Sequence, residues 1–113
     1  RNTPEETAEG VLRVCDEIQL RASDCRILLI GLLPRAPEKF TDPIRSINRL
    51  LAEGSASRGI RFLDLWPYFS GPDGLPRPEL MADTVHPNRN GYEVWAEAME
   101  PVLTEWLAPQ DVR

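Results

Sequence analysis

The sequence predicts an α/β fold, and within that class the C-terminal part of a three-layer α/β/α domain with a parallel sheet. Residues 26–33 are apolar at nearly every position, and residues 61–65, with Phe62, Leu63 and Leu65, are predicted to form a second short strand. Such segments are typical of parallel strands covered on both faces. A helical segment separates them, so the three elements form a βαβ unit. Because two parallel strands cannot cover themselves, we expect further strands of the same domain upstream, with residues 1–113 as its C-terminal part.

The first helix is predicted from its start. Thr3 is a good N-cap, Pro4 suits the first helical position, and Glu6 completes a capping box. Ser23 and Asp24 are expected to end the helix. Between these signals, apolar residues recur at helical spacing and predict one buried face formed by Ala8, Val11, Leu12, Cys15, Ile18 and Ala22.

Two further helices are predicted downstream. The second begins at Asp42 and Pro43, is loosened and ended by residues 54–59, and has an inner face of Ile44, Ile47, Leu50 and Leu51. Residues 66–80 form a long loop rich in proline and glycine. The last helix covers about residues 89–107, with Asn88 as N-cap, and Pro101 is expected to kink it or to tighten one turn. Its predicted buried face consists of Tyr92, Trp95, Met99, Val102, Leu103 and Trp106.

Composition narrows the class of protein. The chain of 113 residues suits one small domain, and its net charge of −5 without a basic cluster argues against a nucleic-acid partner. The longest apolar run, residues 27–33, is too short to cross a bilayer. Cys15 and Cys25 define neither a metal site nor a disulfide scaffold, although a bridge between them is possible. The cellular compartment and the oligomeric state stay open.

The chemistry is predicted at Asp83 and His86. His86 is the only histidine, and it follows the Asp83 carboxylate by three residues. Pro87 keeps His86 extended and outside the helix that starts after Asn88. An aspartate at this spacing can accept a hydrogen bond from Nδ1–H and leave Nε2 free to take a proton. Residues 34–41 and 66–86 are the loops expected at the carboxyl ends of the strands, where open parallel sheets bind ligands.

Five short motifs follow one another along the chain. They are Asn2-Thr3 with Glu5-Glu6 and Gly10, Leu28-Leu29-Ile30-Gly31-Leu32-Leu33-Pro34-Arg35, Asp42-Pro43-Ile44-Arg45, Leu63-Asp64, and Asp83-x-x-His86-Pro87-Asn88-x-x-Gly91-Tyr92. In this order they resemble the C-terminal half of the SGNH (GDSL-type) esterase and lipase family, over essentially all of the chain. Within that family the chain is similar to the catalytic subunits of intracellular platelet-activating-factor acetylhydrolase and to their bacterial relatives.

The resemblance implies a flavodoxin-like SGNH hydrolase domain and a serine ester hydrolase that needs no metal or cofactor. His86 would be the general base, and Asp83 would orient it. The family's nucleophilic serine and its oxyanion glycine and asparagine belong upstream, so the segment alone is expected to be inactive. The expected substrate is a small acetyl or short acyl ester, on a sugar or a lipid; thioesters also fit.

The serines within the chain do not supply the nucleophile. Ser55 and Ser57 follow a helix rather than a strand and lack G-x-S-x-G spacing, while Ser46 and Ser70 lie in a helix and a turn-rich loop. Asn2 is interpreted as a residue that leads into the helix cap, not as an oxyanion donor.

Two alternatives stay open at this point. The first is a binding or interaction module that keeps the fold without the chemistry. The second is a metal-assisted hydrolase that combines Asp83 and His86 with Asp64 or Asp73. Trp66, Tyr68 and Phe69 either line a substrate pocket or pack their loop against the sheet.

Overall fold

Helices and two parallel strands alternate along the chain in the computed structural model, which describes residues 2–108. The elements are α1 (Pro4–Arg21), β1 (Leu28–Ile30), α2 (Thr41–Arg58), β2 (Arg61–Leu63), α3 (Trp66–Phe69) and α4 (Arg89–Leu107). Two short 3₁₀ turns, Glu38–Phe40 and Pro78–Leu80, precede α2 and the loop that leads to α4. Within residues 2–108, no helix is both long enough and apolar enough to cross a membrane.

The start of α1 is the predicted capping box. The Glu6 amide donates to Thr3 Oγ1 at 3.1 Å, and the Thr3 amide donates to Glu6 Oε1 at 2.9 Å. Ala8, Leu12 and Cys15 are buried as predicted. Ile18 is exposed, contrary to prediction. The helix ends at Arg21, slightly before the predicted stop.

The two strands lie between two hydrophobic clusters. Leu28, Leu29 and Ile30 pair in parallel with Arg61, Phe62 and Leu63. Leu29 and Phe62 pack on the cluster formed by α1 and α2. Their neighbours Ile30 and Leu63 pack on the opposite cluster, which contains Leu65, Phe69, Leu80 and Ala98. Since successive strand residues point to opposite faces, the sheet is the middle layer of an α/β/α sandwich, which confirms the predicted class.

The strands are shorter and less buried than predicted. Strand pairing ends where the Gly31 amide donates to the Leu63 carbonyl at 3.0 Å. Beyond that point the Asn48 side chain binds both backbone groups of Leu32 in place of a neighbouring strand. Every residue of β1 is only half-buried. The apolar run predicted a strand buried on both faces, but within the described residues β1 is only partly covered.

Helix α2 begins one residue before its predicted start and ends within the predicted range of residues 54–59. It begins at Thr41, because the preceding 3₁₀ turn gives Phe40 a helical backbone and leaves Asp42 inside the first turn. It continues through residues 54–58 and ends at Gly59, which has a left-handed φ of 68°. Gly54 does not loosen the helix. A Cβ at that position would overlap Leu12 Cδ1, so glycine permits the close packing of α1 on α2.

The region from residue 66 to residue 107 carries the second core cluster. The predicted loop contains α3, whose Trp66 and Phe69 side chains are buried. Phe69 packs in the second core cluster, whereas Trp66 also lines a small surface pocket of about 200 Å³. Tyr68 is exposed. Helix α4 has the predicted limits and contains Pro101. Tyr92 and Leu103 are exposed instead of buried, because the helix packs through the face that holds Gly91, Ala98 and Val102.

Candidate active site

The loop from Met81 to Asn88 brings Asp83 and His86 together. Asp83 Oδ1 accepts hydrogen bonds from the amides of Val85 at 2.8 Å and His86 at 2.7 Å, which closes a tight turn. The His86 ring then faces the same carboxylate, with Nδ1 at 2.9 Å from Oδ2 and 3.1 Å from Oδ1. The Ala82 amide donates to the His86 carbonyl at 2.7 Å and ties the two ends of the loop. The predicted pair is therefore preformed by local contacts.

The start of α4 anchors this loop. Asn88 Oδ1 accepts from the Gly91 amide at 2.9 Å, which makes Asn88 the predicted N-cap. Its Nδ2 donates to the Glu79 carbonyl at 3.0 Å and so links the cap to the preceding 3₁₀ turn. Gly91 lies directly on that turn: a Cβ there would overlap the Leu80 carbonyl oxygen and lie 2.8 Å from Pro87 Cβ. The first turn of α4, where it packs on Leu80 and Pro87, thus requires a residue without a side chain.

The hydrogen bonds of Asp83 decide which nitrogen of the neutral imidazole carries the proton. The Val85 amide, the His86 side chain and the His86 amide all donate to Asp83, and they lower the pKa of that carboxyl to about 2. Because an ionised carboxylate only accepts hydrogen bonds, the proton of the imidazole lies on Nδ1. Nε2 is then the basic atom. Both side chains are open to solvent, with 68% of the His86 side chain and 55% of the Asp83 side chain exposed.

His86 lies on an apolar cleft of about 550 Å³ at the carboxyl end of β1. This volume falls in the range of small-molecule sites, about 300–1,000 Å³. The loop after β1 and the first turns of α2 form one side, and α4 contributes Tyr92 and Trp95, whose rings stack 6.1 Å apart. The cleft is lined by Leu32, Leu33, Pro34, Arg35, Phe40, Pro43, Ile44, Ile47, Val85, His86, Pro87, Tyr92 and Trp95.

Asn48 supports the wall of the cleft, and the sequence interpretation missed it. Its Oδ1 accepts from the Leu32 amide at 2.7 Å, and its Nδ2 donates to the Leu32 carbonyl at 2.9 Å. The side chain is buried although it is polar. One signal was present in the sequence: Asn48 directly follows Ile47 on the predicted inner face of α2, where a polar residue needs a partner.

The other predicted positions lie outside the cleft. Ser55 is buried within α2, and Ser57 Oγ donates to the Gly54 carbonyl at 2.9 Å. Asp64 Oδ1 accepts from the Trp66 amide at 2.9 Å and so caps a turn, while Asp73 does the same for Leu75 at 2.9 Å.

The metal-site alternative and the possible disulfide find no support in the described part of the chain. Within residues 2–108, no three histidine, cysteine, aspartate or glutamate side chains converge on a common point. Cys15 is buried, Cys25 is exposed, and both are free thiols.

Comparison with known proteins identifies a family and similar curated proteins. The model of the GDSL-like lipase/acylhydrolase family matches residues 1–94. Human platelet-activating factor acetylhydrolase IB subunit alpha1 is 29% identical over 110 residues, which cover 95% of this chain and 48% of that protein. The rat alpha2 subunit is 27% identical over 109 residues, which cover 94% of this chain and 48% of that protein. The chain thus spans about half the length of the curated relatives it matches.

Solved structures share the fold. A putative acylhydrolase from Bacteroides fragilis superposes with a TM-score of 0.78 at 22% identity, over 95% of this chain and 54% of that one. The esterase domain of the ORF1 protein of the zebrafish ZfL2-1 retrotransposon gives a TM-score of 0.74 at 20% identity, over 93% of this chain and 61% of that one. The chain belongs to the GDSL-like lipase/acylhydrolase family.

Proposed function

We propose that the protein carrying this chain is a serine ester hydrolase in which His86 is the general base and Asp83 orients it. The observation that carries the proposal is the hydrogen bond between Asp83 and Nδ1 of His86, 2.9 Å long, on the rim of an apolar cleft. This arrangement leaves Nε2 unbonded among the described residues and open to a substrate-sized space. A histidine held in this way is the base of a serine nucleophile.

The reaction follows from these roles. A serine hydroxyl attacks the ester carbonyl while its proton passes to Nε2, and the ionised Asp83 stabilises the imidazolium. Collapse of the tetrahedral intermediate breaks the bond to the alkoxy oxygen, which takes the proton from Nε2. Water then repeats these steps on the acyl-enzyme and releases the carboxylic acid. We place the serine and the oxyanion donors upstream of residue 1, in the part of the domain that the relatives have and this chain does not span.

The substrate proposed is a small ester with an acetyl or short acyl group. Two curated relatives are named for acetyl hydrolysis. A cleft of about 550 Å³ with apolar walls suits a compact ester better than a long polymer. We propose no metal or cofactor for the reaction, because a serine, a histidine base and backbone donors suffice for acyl transfer.

A second candidate is a binding module that keeps the fold without catalysis. No serine lines the cleft within residues 2–108, so the described residues alone fit either candidate. The upstream sequence discriminates between the two, because a serine at a strand end in a G-D-S motif favours the enzyme and its replacement favours the module.

The test uses the product of the complete open reading frame that encodes this chain. Its hydrolysis of p-nitrophenyl acetate is compared with that of His86→Ala, and with Thr84→Ala as a control for an exposed residue of the same loop. We expect a loss of at least about 10³-fold in kcat for His86→Ala and none for Thr84→Ala. A folded protein that carries the serine but is indifferent to His86→Ala would reject the assignment.

A further inference from the structure

One side chain on the rim of the cleft is permanently charged. Arg35 follows the β1 strand and lines the same cleft as His86, whose other walls are apolar or aromatic. A guanidinium keeps its positive charge at all physiological pH values. Within residues 2–108, the arginines that pair with carboxylates are Arg21, Arg49, Arg58, Arg61 and Arg89, and Arg35 is not among them.

Phe40 holds this cation in place. The Arg35 Cζ atom lies 4.4 Å from the centroid of the Phe40 ring, and Lys39 Nζ lies 5.4 Å from the same centroid. This cation–π contact restrains the position of the guanidinium, whose N–H groups make no salt bridge among the described residues. Two cations therefore flank one cleft-lining ring, in a chain whose net charge is −5. This local excess of positive charge has no partner among the carboxylates of the described residues.

We infer that Arg35 forms an anion subsite, and that the cleft selects esters that carry a carboxylate or phosphate group in addition to the scissile ester. The ester part of this inference rests on the proposed function; the anion part rests on the cleft and on Arg35. Small-molecule sites are largely apolar and use a few polar groups to fix orientation. Here the apolar walls hold the body of the ligand, and the guanidinium fork binds two oxygens of the anion side by side.

The kinetic test compares matched substrates on the complete gene product. The anionic substrates are 4-acetoxybenzoate and 4-acetoxyphenyl phosphate, and the neutral reference is methyl 4-acetoxybenzoate. We expect Arg35→Gln to lower the anionic-to-neutral ratio of kcat/KM about tenfold. Arg35→Lys should keep part of the preference, because it retains the charge but not the fork. The substrate with the larger ratio identifies the anion.

Arg21→Gln is the control for a change in total charge. Its side chain is 81% exposed, pairs with Glu17 on α1, and does not line the cleft. We expect it to leave the ratio unchanged. A ratio that is equal in wild type and Arg35→Gln, or that falls equally in Arg21→Gln, would overturn the anion subsite while leaving the esterase proposal intact.

A binding measurement separates this inference from the proposed function. Benzoate and benzamide have the same size and differ in charge, and each is titrated while the imidazole NMR signal of His86 is observed. We expect benzoate to bind at least about tenfold more tightly than benzamide, and Arg35→Gln to remove the difference. Benzoate binding that depends on Arg35 in a protein without ester turnover would reject the esterase and keep the subsite. Equal binding of the two ligands would reject the subsite.

Discussion

Replacement of Asp83 by asparagine changes one atom at the centre of the candidate site. The asparagine Oδ1 can still accept from the amides of Val85 and His86, at 2.8 and 2.7 Å in the native loop. The amide nitrogen then takes the place of Oδ2, 2.9 Å from Nδ1 of His86. A flipped side chain would instead direct its NH₂ group at two backbone N–H groups, so the loop selects the first orientation. Asp83→Asn therefore preserves the turn and alters only what faces the imidazole.

The expected loss follows from the tautomer. An NH₂ group opposite Nδ1 requires Nδ1 to accept, so the proton of the neutral ring moves to Nε2, where it blocks base catalysis. In a serine protease, the equivalent change lowers kcat about 10⁴-fold. Both side chains here are more than half exposed, and water screens part of the interaction. We therefore expect a loss of about 10³-fold in kcat with KM nearly unchanged.

The assay is steady-state hydrolysis of p-nitrophenyl acetate by the complete gene product, together with the ¹⁵N chemical shifts of the His86 ring. The shifts report the tautomer directly and would not respond to a merely structural role. Asp73→Asn is the matched control. Asp73 Oδ1 accepts from the Leu75 amide at 2.9 Å in a similar turn, and Asp73 does not line the cleft.

Two results would refute the reasoning. One is a kcat for Asp83→Asn within tenfold of the wild-type value, with the protonated nitrogen shown to be Nε2. The other is an equal loss of activity in Asp73→Asn, which would trace the effect to turn stability instead of the imidazole.

Three further predictions concern stability and can be checked by urea unfolding. Asn48→Ala leaves the amide and carbonyl of Leu32 without partners, so we expect the free energy of unfolding to fall by about 1–3 kcal/mol. In steady-state assays, KM for esters should rise as well. An unchanged free energy of unfolding would contradict this prediction. Gly91→Ala should lower the free energy of unfolding by at least about 2 kcal/mol, because the new Cβ meets the Leu80 carbonyl. Gly10→Ala has open space around it in α1 and should raise the free energy of unfolding by up to about 1 kcal/mol. Equal effects of the two substitutions would contradict the packing argument. The lowered pKa of Asp83 means that its carboxylate stabilises the native state above about pH 4, and that this contribution is lost as the pH falls towards 2. Between pH 5 and pH 2, the free energy of unfolding should therefore fall more in wild type than in Asp83→Asn. Parallel pH profiles of the two proteins would contradict this.

Features that depend on neighbours in the sequence were predicted well. The capping box at Thr3, the limits of α4 and the Asn88 cap all arise from contacts within four residues. The placement of His86 against Asp83 is of the same kind, because the turn between them is closed by the amides of Val85 and His86. Hydrogen bonds of this kind depend on the identity and spacing of neighbouring residues, so they can be predicted without knowledge of distant contacts.

Features that depend on how elements pack were not predicted. β1 ends at Ile30, and the backbone groups of Leu32 beyond it are bonded by Asn48, sixteen residues away. Gly54 was interpreted as a helix breaker, although it is a contact point between α1 and α2. Tyr92 has helical spacing with buried residues but turns towards the cleft.

The sequence by itself determined the α/β class, the order of the elements and the pairing of Asp83 with His86. Tertiary structure decided what surrounds that pair: the apolar cleft, the wall held by Asn48, and the stacking of Arg35 on Phe40. The physical reason is that a cleft is the space left between packed elements. Its shape depends on helix positions that no single segment specifies, whereas a turn such as the one at Asp83 closes within itself.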